Sequence, residues 1–523
     1  MQSGLDEQRG AEVLVDVERL DEGKGRSYGW VYWWVIGVAM VYWMVARVWG
    51  LWMREGLWLD EAAIGQQILF RGWGEMHEPL GYGQSSALGF LYLCKLGTMI
   101  VGGDLGLRLM PTVLGLGFAP LMFLYAKRFG KVAGLVVLML AVLGGGHLYF
   151  SLQMKHYSMD VLATLVGVWL ARRCLDDESN RCLIELGVWG VVVSWLSYVQ
   201  VMVLGGVGGV LLVNYLVNKR KLKVGLLMGF GGLWLLSLVV HYRGFLASQS
   251  GDEKLGSYWE YGFAPVVITG VKDLLWYPKN YFYAFEHPMG MGLKYVAGFV
   301  WLIGAWVGWR RYRWESCLWL GMLPMVWLLS AMKIYPSYDR ALMFLLPMMV
   351  LFLGLGFVEI VRLMGDKYVA MRWAVVGGVM GVMLWPSVLT HGEEVWLRED
   401  RLDGHDAAVY LAEHYVEGEK LYADALTGVT FRYYERLYEL GVEIVWDEGT
   451  HDGGGMGGVN DRTIGLLDEV LGDGRGWVLV ENFEPRDGSE SMEMRVKKYL
   501  DERGELKLRY VTTLGILMCY ELK

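Results

Sequence analysis

The 523-residue chain is 54% hydrophobic, carries 25 Trp and 30 Tyr against 11 Pro, and has a mean hydropathy of +0.31. Apolar runs near the length that crosses a bilayer recur from residue 29 to about 390, which excludes a soluble globular chain and marks a polytopic α-helical membrane protein. The formal charge of −8 offers no basic surplus for nucleic acid, and much of it sits in the C-terminal third.

Residues 1–28 are charged, with no apolar core and no small-residue cleavage site, so they read as a cytoplasmic tail and not as a signal peptide. Twelve apolar runs follow, at 29–50, 85–102, 106–127, 132–150, 157–173, 184–199, 201–217, 224–241, 291–309, 317–332, 341–361 and 372–390. Basic clusters mark cytoplasmic ends. They fall at Arg19/Lys24/Arg26, Lys127/Arg128/Lys131, Arg172/Arg173/Arg181, Lys219/Arg220/Lys221/Lys223, Arg310/Arg311/Arg313 and Arg362/Lys367/Arg372. If all twelve runs crossed, every cluster from Lys127 onward would face outside. Removing run 85–102, which carries Lys95 near its middle, returns all of them to the inside. That run reads as a helix lying in the outer interface. The expectation is therefore about eleven transmembrane helices over a domain at 29–390, with the N-terminus cytoplasmic. Residues 51–105 would form a first outer loop holding two interfacial helices, and further outer segments fall at 153–156, 242–290 and 333–340.

After residue 390 the pattern turns soluble-like. HDAAVYLAEHY and TGVTFRYYERLYEL read as helices, and KLYAD, VEIVW, GWVLVEN and ILMCYEL as strands, which predicts a small extracytoplasmic α/β domain over 391–523. HDGGGMGGVND (451–461) lacks phosphate-loop spacing and a lysine, so it reads as a connector. Cys94, Cys174, Cys182, Cys317 and Cys519 show no CxxC or metal-ligand spacing.

Four outer segments carry side chains suited to chemistry. In LWLDEAAIG (57–65), Asp60 fits the N-cap of a helix running to about Phe70, and Glu61 suits its first turn. A carboxylate anchored there is equally placed to act as a general base. In MHEPLGYG (76–83), His77 and Glu78 would ligate a metal or contact a phosphate, although such pairs are common on surfaces. SLQMKHYSMD (151–160) gathers Lys155, His156, Tyr157 and Asp160 at an outer mouth; boundary charges are functional candidates, while a lysine there also snorkels. In MKIYPSYDRALMF (332–344), Lys333 and Arg340 bracket Tyr335 against the positive-inside trend, which points to an anionic partner. The alternative is an ion pair of Arg340 with Asp339 or a distant carboxylate. The aromatic loop 242–290 suits a membrane-interface belt and would equally flank a sugar or a lipid headgroup.

Taken in order, these segments resemble the GT-C superfamily of polyprenyl-phosphate-sugar glycosyltransferases, in particular the branch of protein O-mannosyltransferases and lipid A aminoarabinose transferases in its bacterial form. Asp60-Glu61 resembles that branch's pair in the first outer loop, and HEPLGYG its His-Pro-Pro-Leu or Glu-Lys-Pro segment. GLRLMPTVLG (106–115) resembles the Arg-bearing span that follows, QMKHYSMD a Lys-x-Tyr-Ser-x-Asp segment, and YPSYDRALMFLLP the opening of a late span. The likeness covers roughly residues 30–390 and extends to TGVTFRYYERL; Glu78 departs from it, standing where mannosyltransferase relatives have proline.

The resemblance implies an inverting sugar transfer from a polyprenyl-phosphate donor to a lipid, glycan or protein acceptor on the outer face of a bacterial inner membrane. It makes Asp60 the general base, with Glu61 orienting it or holding the donor. Lys155, Tyr157, Tyr335, Arg340 and His77 would bind the donor and its lipid phosphate. His77 and Glu78 would be candidates for a divalent metal, which some relatives use and others do not. The competing readings are a lipid-linked-sugar flippase or an inactive GT-C-like subunit of an envelope polysaccharide assembly. A flippase predicts mid-membrane charges and repeat symmetry; here the charges gather at one face and no repeat is visible, which favours the enzyme.

Overall fold

The computed structural model describes residues 29–54, 56–177, 179–249, 259–364, 369–391, 403–447, 461–472, 474–481, 491–512 and 515–522. Six described helices are long and apolar enough to cross a membrane: Gly29–Met53, Gly103–Phe129, Gln200–Val217, Lys221–Gly244, Asp339–Leu363 and Ala370–Leu389. Lys131–Leu143 and Gly145–Ser151 make a seventh if the pair, bent by 53°, counts as one span. Four of the eleven expected spans fall short of that standard, because charge or a break interrupts them. Tyr157–Asp176 carries Asp160, Arg172, Arg173 and Asp176, and Lys294–Arg311 carries Lys294, Arg310 and Arg311. Arg181–Leu196 has 16 residues, and Gly321 separates Arg313–Leu320 from Met322–Ala331.

The bend between Leu143 and Gly145 matters for what lies above it. A Cβ on Gly146 would sit 1.6 Å from the Pro288 carbonyl oxygen, so glycine alone allows this approach. Run 85–102 becomes the helix Leu88–Ile100, whose 13 residues are fewer than the roughly 20 a crossing needs. Its lysine has a local purpose. Lys95 Nζ donates to the carbonyl of Ile68 at 2.7 Å and to that of Arg71, covering the open carbonyl end of the Leu59–Phe70 helix.

The C-terminal part holds five strands: β1 (Lys420–Ala423), β2 (Glu443–Trp446), β3 (Arg475–Glu481), β4 (Gly504–Val511) and β5 (Gly515–Leu522). Their order is β2-β1-β3-β5-β4. β1 pairs in parallel with β2 and β3, while β5 runs antiparallel to β3 and β4. β1 and β3 are buried almost throughout, as parallel strands covered on both faces are, whereas the edge strand β4 alternates buried and open positions. The four expected strands are β1, β2, β3 and β5. β4 and the helices Asp461–Leu471 and Met492–Asp501 add to that reading. The glycine-rich connector lies outside the described residues except for Asp461.

The sheet does not stand apart from the segment 56–107. Leu57, Ile64, Ile68, Phe90 and Leu107 share one buried apolar cluster with Phe431, Tyr433, Tyr434, Trp477 and Leu479. Ring contacts seal the seam: Phe70 meets Tyr433 at 6.0 Å, and Tyr82 meets Trp446 at 5.6 Å.

Candidate active site

The Leu59–Phe70 helix opens the site, and its cap differs from the sequence expectation. The N-cap position is Trp58, not Asp60. Glu61 Oε2 reaches back to the Trp58 N–H at 3.1 Å, so the carboxylate in the third helical position serves the helix end. Asp60 is thereby left to face elsewhere. Its Oδ2 lies 3.3 Å from Lys155 Nζ and 3.7 Å from Arg340 Nη1, and its Oδ1 accepts from Gln84 Nε2 at 3.2 Å. Three segments far apart in sequence thus converge on one carboxylate, which remains 22% exposed.

Glu61 is the opposite case. It is 2% exposed, and Arg108 grips it with Nε at 2.9 Å and Nη2 at 2.7 Å. The Met154 N–H donates to its Oε1 at 2.6 Å. With the Trp58 bond this engages both oxygens, so Glu61 orients the site and does not face into it. Met154 immediately precedes Lys155, so the Glu61 bond also sets where Lys155 starts. Arg108 further donates to the carbonyls of Gly56 at 2.5 Å and Arg54 at 3.3 Å, tying the segment before Asp60 to the Gly103–Leu116 helix.

Gln84 carried no sequence signal, yet it is the third member of the centre. Lys155 Nζ donates to its Oε1 at 2.8 Å while its amide donates to Asp60, so one side chain spaces carboxylate and cation. Tyr82 and Gly83 turn the chain into this position with φ of 59° and 61°, the left-handed region that glycine enters freely and tyrosine seldom does. Gln67 holds the same turn by accepting the Gly81 N–H at 3.0 Å.

His77 and Glu78 stay outside the centre. Both are exposed, and Arg71 lies 3.9 Å from Glu78 Oε2 while donating to the carbonyls of Glu78 and Pro79 at 3.0 and 2.9 Å. No group of three or more His, Cys, Asp or Glu able to hold a metal occurs among the described residues.

The Arg340 turn is built by the aromatic loop. Asn280 Nδ2 donates to the Ser337 carbonyl at 2.5 Å, Tyr283 stacks on Tyr338 at 4.5 Å, and the Trp259 ring lies 5.6 Å from the Arg340 guanidinium. Tyr335 donates its hydroxyl to the Ala341 carbonyl at 2.8 Å, so it braces this turn. Tyr157 is buried, packs on Phe150 at 4.9 Å, and lies within electrostatic range of Arg340 and Asp60. Arg340 meets Asp60, which realises the distant-carboxylate alternative of the sequence reading.

The charges are tuned by these neighbours. Burial favours protonated Asp60, but Lys155, Arg340 and the Gln84 bond outweigh it and hold the carboxyl below its ordinary value. Burial likewise opposes ionised Glu61, and Arg108 with the Met154 N–H prevails. Lys155 is pushed down by burial and by Arg340, with Asp60 acting against them. Burial, Lys155 and Arg340 push His156 down to about 3, so its ring is neutral near pH 7. His156 Nε2 lies 2.8 Å from the Tyr198 hydroxyl and 3.6 Å from Asp160 Oδ2, and Asp160 accepts from Ser197 at 2.5 Å. Ser197 in turn lines an apolar groove of about 260 Å³ with Leu204, Gly205, Gly208, Gly231 and Leu235.

No family model and no curated protein matches the chain. Among solved structures it is similar to ArnT from Cupriavidus metallidurans bound to undecaprenyl phosphate, with a TM-score of 0.57 and 14% identity over 94% of this chain and 98% of that one. The same protein in the apo state gives 0.56 and 13% over the same shares. Arabinosyltransferase EmbB from Mycobacterium smegmatis gives 0.39 and 12%, over 78% of this chain and 44% of that one. At these identities the likeness is one of fold: along nearly its whole length the chain is folded as the ArnT of Cupriavidus metallidurans is, as a polytopic membrane protein.

Proposed function

We propose that the chain is a membrane glycosyltransferase of GT-C type, moving a sugar from a polyprenyl-phosphate donor to an acceptor on the extracytoplasmic face. The observation that carries this reading is the convergence of Lys155 and Arg340 on the one partly open carboxylate, Asp60. The ArnT fold, solved with undecaprenyl phosphate, supports the donor class. The groove lined by Ser197 would take part of an isoprenoid chain.

The chemistry follows from the positions. An ionised Asp60 takes the proton of the acceptor hydroxyl as that oxygen attacks the anomeric carbon. The bond from that carbon to the phosphate oxygen breaks on the opposite face, and the pair of electrons leaves with the polyprenyl phosphate, so configuration inverts. Lys155 and Arg340 stabilise the charge that grows on the departing phosphate, the largest electrostatic demand of such a transition state. A base held below its ordinary pKa is a weak one. It serves here because the cations that depress it move their interaction to the phosphate as the reaction proceeds. The N-terminus would be cytoplasmic and the sheet domain would lie over the site, where it would cap it or select the acceptor.

The test is Asp60→Asn in membranes supplied with a labelled polyprenyl-phosphate sugar. Transfer should fall by at least about 100-fold, the scale of a lost general base. Transfer at the wild-type rate would sink the assignment.

A further inference from the structure

The helix Thr427–Tyr438 brings two fully buried hydroxyls to the membrane-spanning part. Tyr433 donates to Asp104 Oδ1 at 2.6 Å and Tyr434 to Asp104 Oδ2 at 2.7 Å. The Tyr434 oxygen also accepts the Leu57 N–H at 2.6 Å, three residues before Asp60. Asp104 lies in the first turn of the Gly103–Leu116 helix, and Arg108 follows it four residues later on the same face. Its charge acts on that guanidinium. Arg108 grips Glu61, and Glu61 holds the Met154 N–H beside Lys155.

We propose that Tyr433 and Tyr434 are positioning residues for the transfer centre: docked on Asp104 and Leu57, they fix the Arg108–Glu61 pair and so set the placement of Lys155 opposite Asp60. This rests on the proposed function for its catalytic consequence, but not for its structural one. Simple adhesion between the sheet domain and the loop would need only the apolar seam at Phe70 and Trp446. A carboxylate that meets both hydroxyls and lies one helical turn from Arg108 ties the seam to the site. The C-terminal domain is, on this account, part of the active-site scaffold and not an appendage to it.

The test uses full-length protein in lipid nanodiscs, with Tyr433→Phe, Tyr434→Phe and the double variant; these keep the rings and remove only hydroxyls. Tyr499→Phe, whose hydroxyl bonds Asp468 on the far side of the sheet domain, is the control. Backbone hydrogen exchange over 152–157 should quicken by about tenfold or more in Tyr434→Phe, which removes two buried hydrogen bonds. The gain should be smaller in Tyr433→Phe, which loses one bond and not two, and Tyr499→Phe should leave it unchanged. In the transfer assay the acid limb of the pH profile should move up as Lys155 drifts from Asp60, whereas mere loss of folded protein lowers the amplitude and leaves the limb in place. Unchanged exchange over 152–157 in both single variants overturns the proposal, as does a pH profile that falls in height alone. If the double variant does not fold, the single variants decide. If wild-type protein transfers sugar from no lipid-phosphate donor, the proposed function fails, and the exchange measurement still judges the positioning.

Discussion

Replacing Lys155 by Met asks whether the cation at Asp60 works as the geometry says. At 3.3 Å and an effective dielectric near 20, the Lys155–Asp60 attraction is about 5 kcal/mol before desolvation. Much of that is offset, because Lys155 is buried and Asp60 is open to solvent on one side. A neighbouring opposite charge lowers a carboxyl by about 1–3 units, and Arg340 at 3.7 Å persists in the variant. Asp60 should therefore rise toward its ordinary value, with Arg340 still holding it down in part. The sign is set by the role of a base: activity disappears as pH falls through its pKa, so the acid limb of the rate profile should move up. Near pH 7.5 Asp60 stays ionised in the variant, and the loss there measures the phosphate contact instead. One charge-assisted bond is worth about 1.5–3 kcal/mol, so the neutral-pH rate should drop by about 10- to 150-fold. The assay is transfer from a labelled polyprenyl-phosphate sugar by purified protein in liposomes, followed across pH. An acid limb that stays where the wild type has it would refute the electrostatic coupling. A neutral-pH rate equal to wild type would refute the phosphate role.

Glu61→Gln should leave Arg108 buried without its counter-charge and cost about 3–5 kcal/mol, read by thermal unfolding in detergent; a loss under about 1 kcal/mol would show the pair to be dispensable. In the sheet domain, burial and the neighbouring Asp424 push Glu481 up to about 7. The folded state then holds a proton that the unfolded chain releases above about 4.3, so this contribution to stability is present at low pH and lost as pH rises through 7. Glu481→Gln should flatten the fall in melting temperature between about pH 4.5 and 7, and an unchanged slope would exclude the residue as its source.

The parts of the site that were legible in the sequence are those whose presence at a membrane boundary is costly. Lys155 stood out as a boundary charge and Arg340 as a cation against the positive-inside trend, and a charge so placed needs a partner; Asp60 supplies it for both. The neutral parts left no such trace. Gln84, Tyr433 and Tyr434 carry neither charge nor period, and only tertiary folding brings Gln84 to Asp60 and the tyrosines to Asp104. The helix cap at Asp60 was misread for a related reason. Local rules favour aspartate at an N-cap, but two cations outside the helix draw Asp60 away, and Glu61 reaches back to Trp58 in its stead. In the sheet domain the buried parallel strands β1 and β3 announced themselves as apolar runs, while the charged edge strand β4 (GELKLRYV) did not.

Resemblance made Asp60 the base and Glu61 its orienting neighbour, and their surroundings differ in the same sense. Arg108 and Glu61 are 4% and 3% exposed at the side chain, paired through two hydrogen bonds and closed to any ligand. Arg340 and Asp60 are 29% and 22% exposed, and their 3.7 Å separation is longer than a hydrogen bond. A sealed, forked pair has completed its electrostatics within the protein, so removing either member is a matter of stability. An open, loosely held pair keeps a surface on which an incoming phosphate competes for the arginine. Arginine paired with one of two adjacent carboxylates therefore builds the frame in one case and, on the proposed function, faces the reaction in the other. Burial and fit decide which, and neither can be read from DE alone.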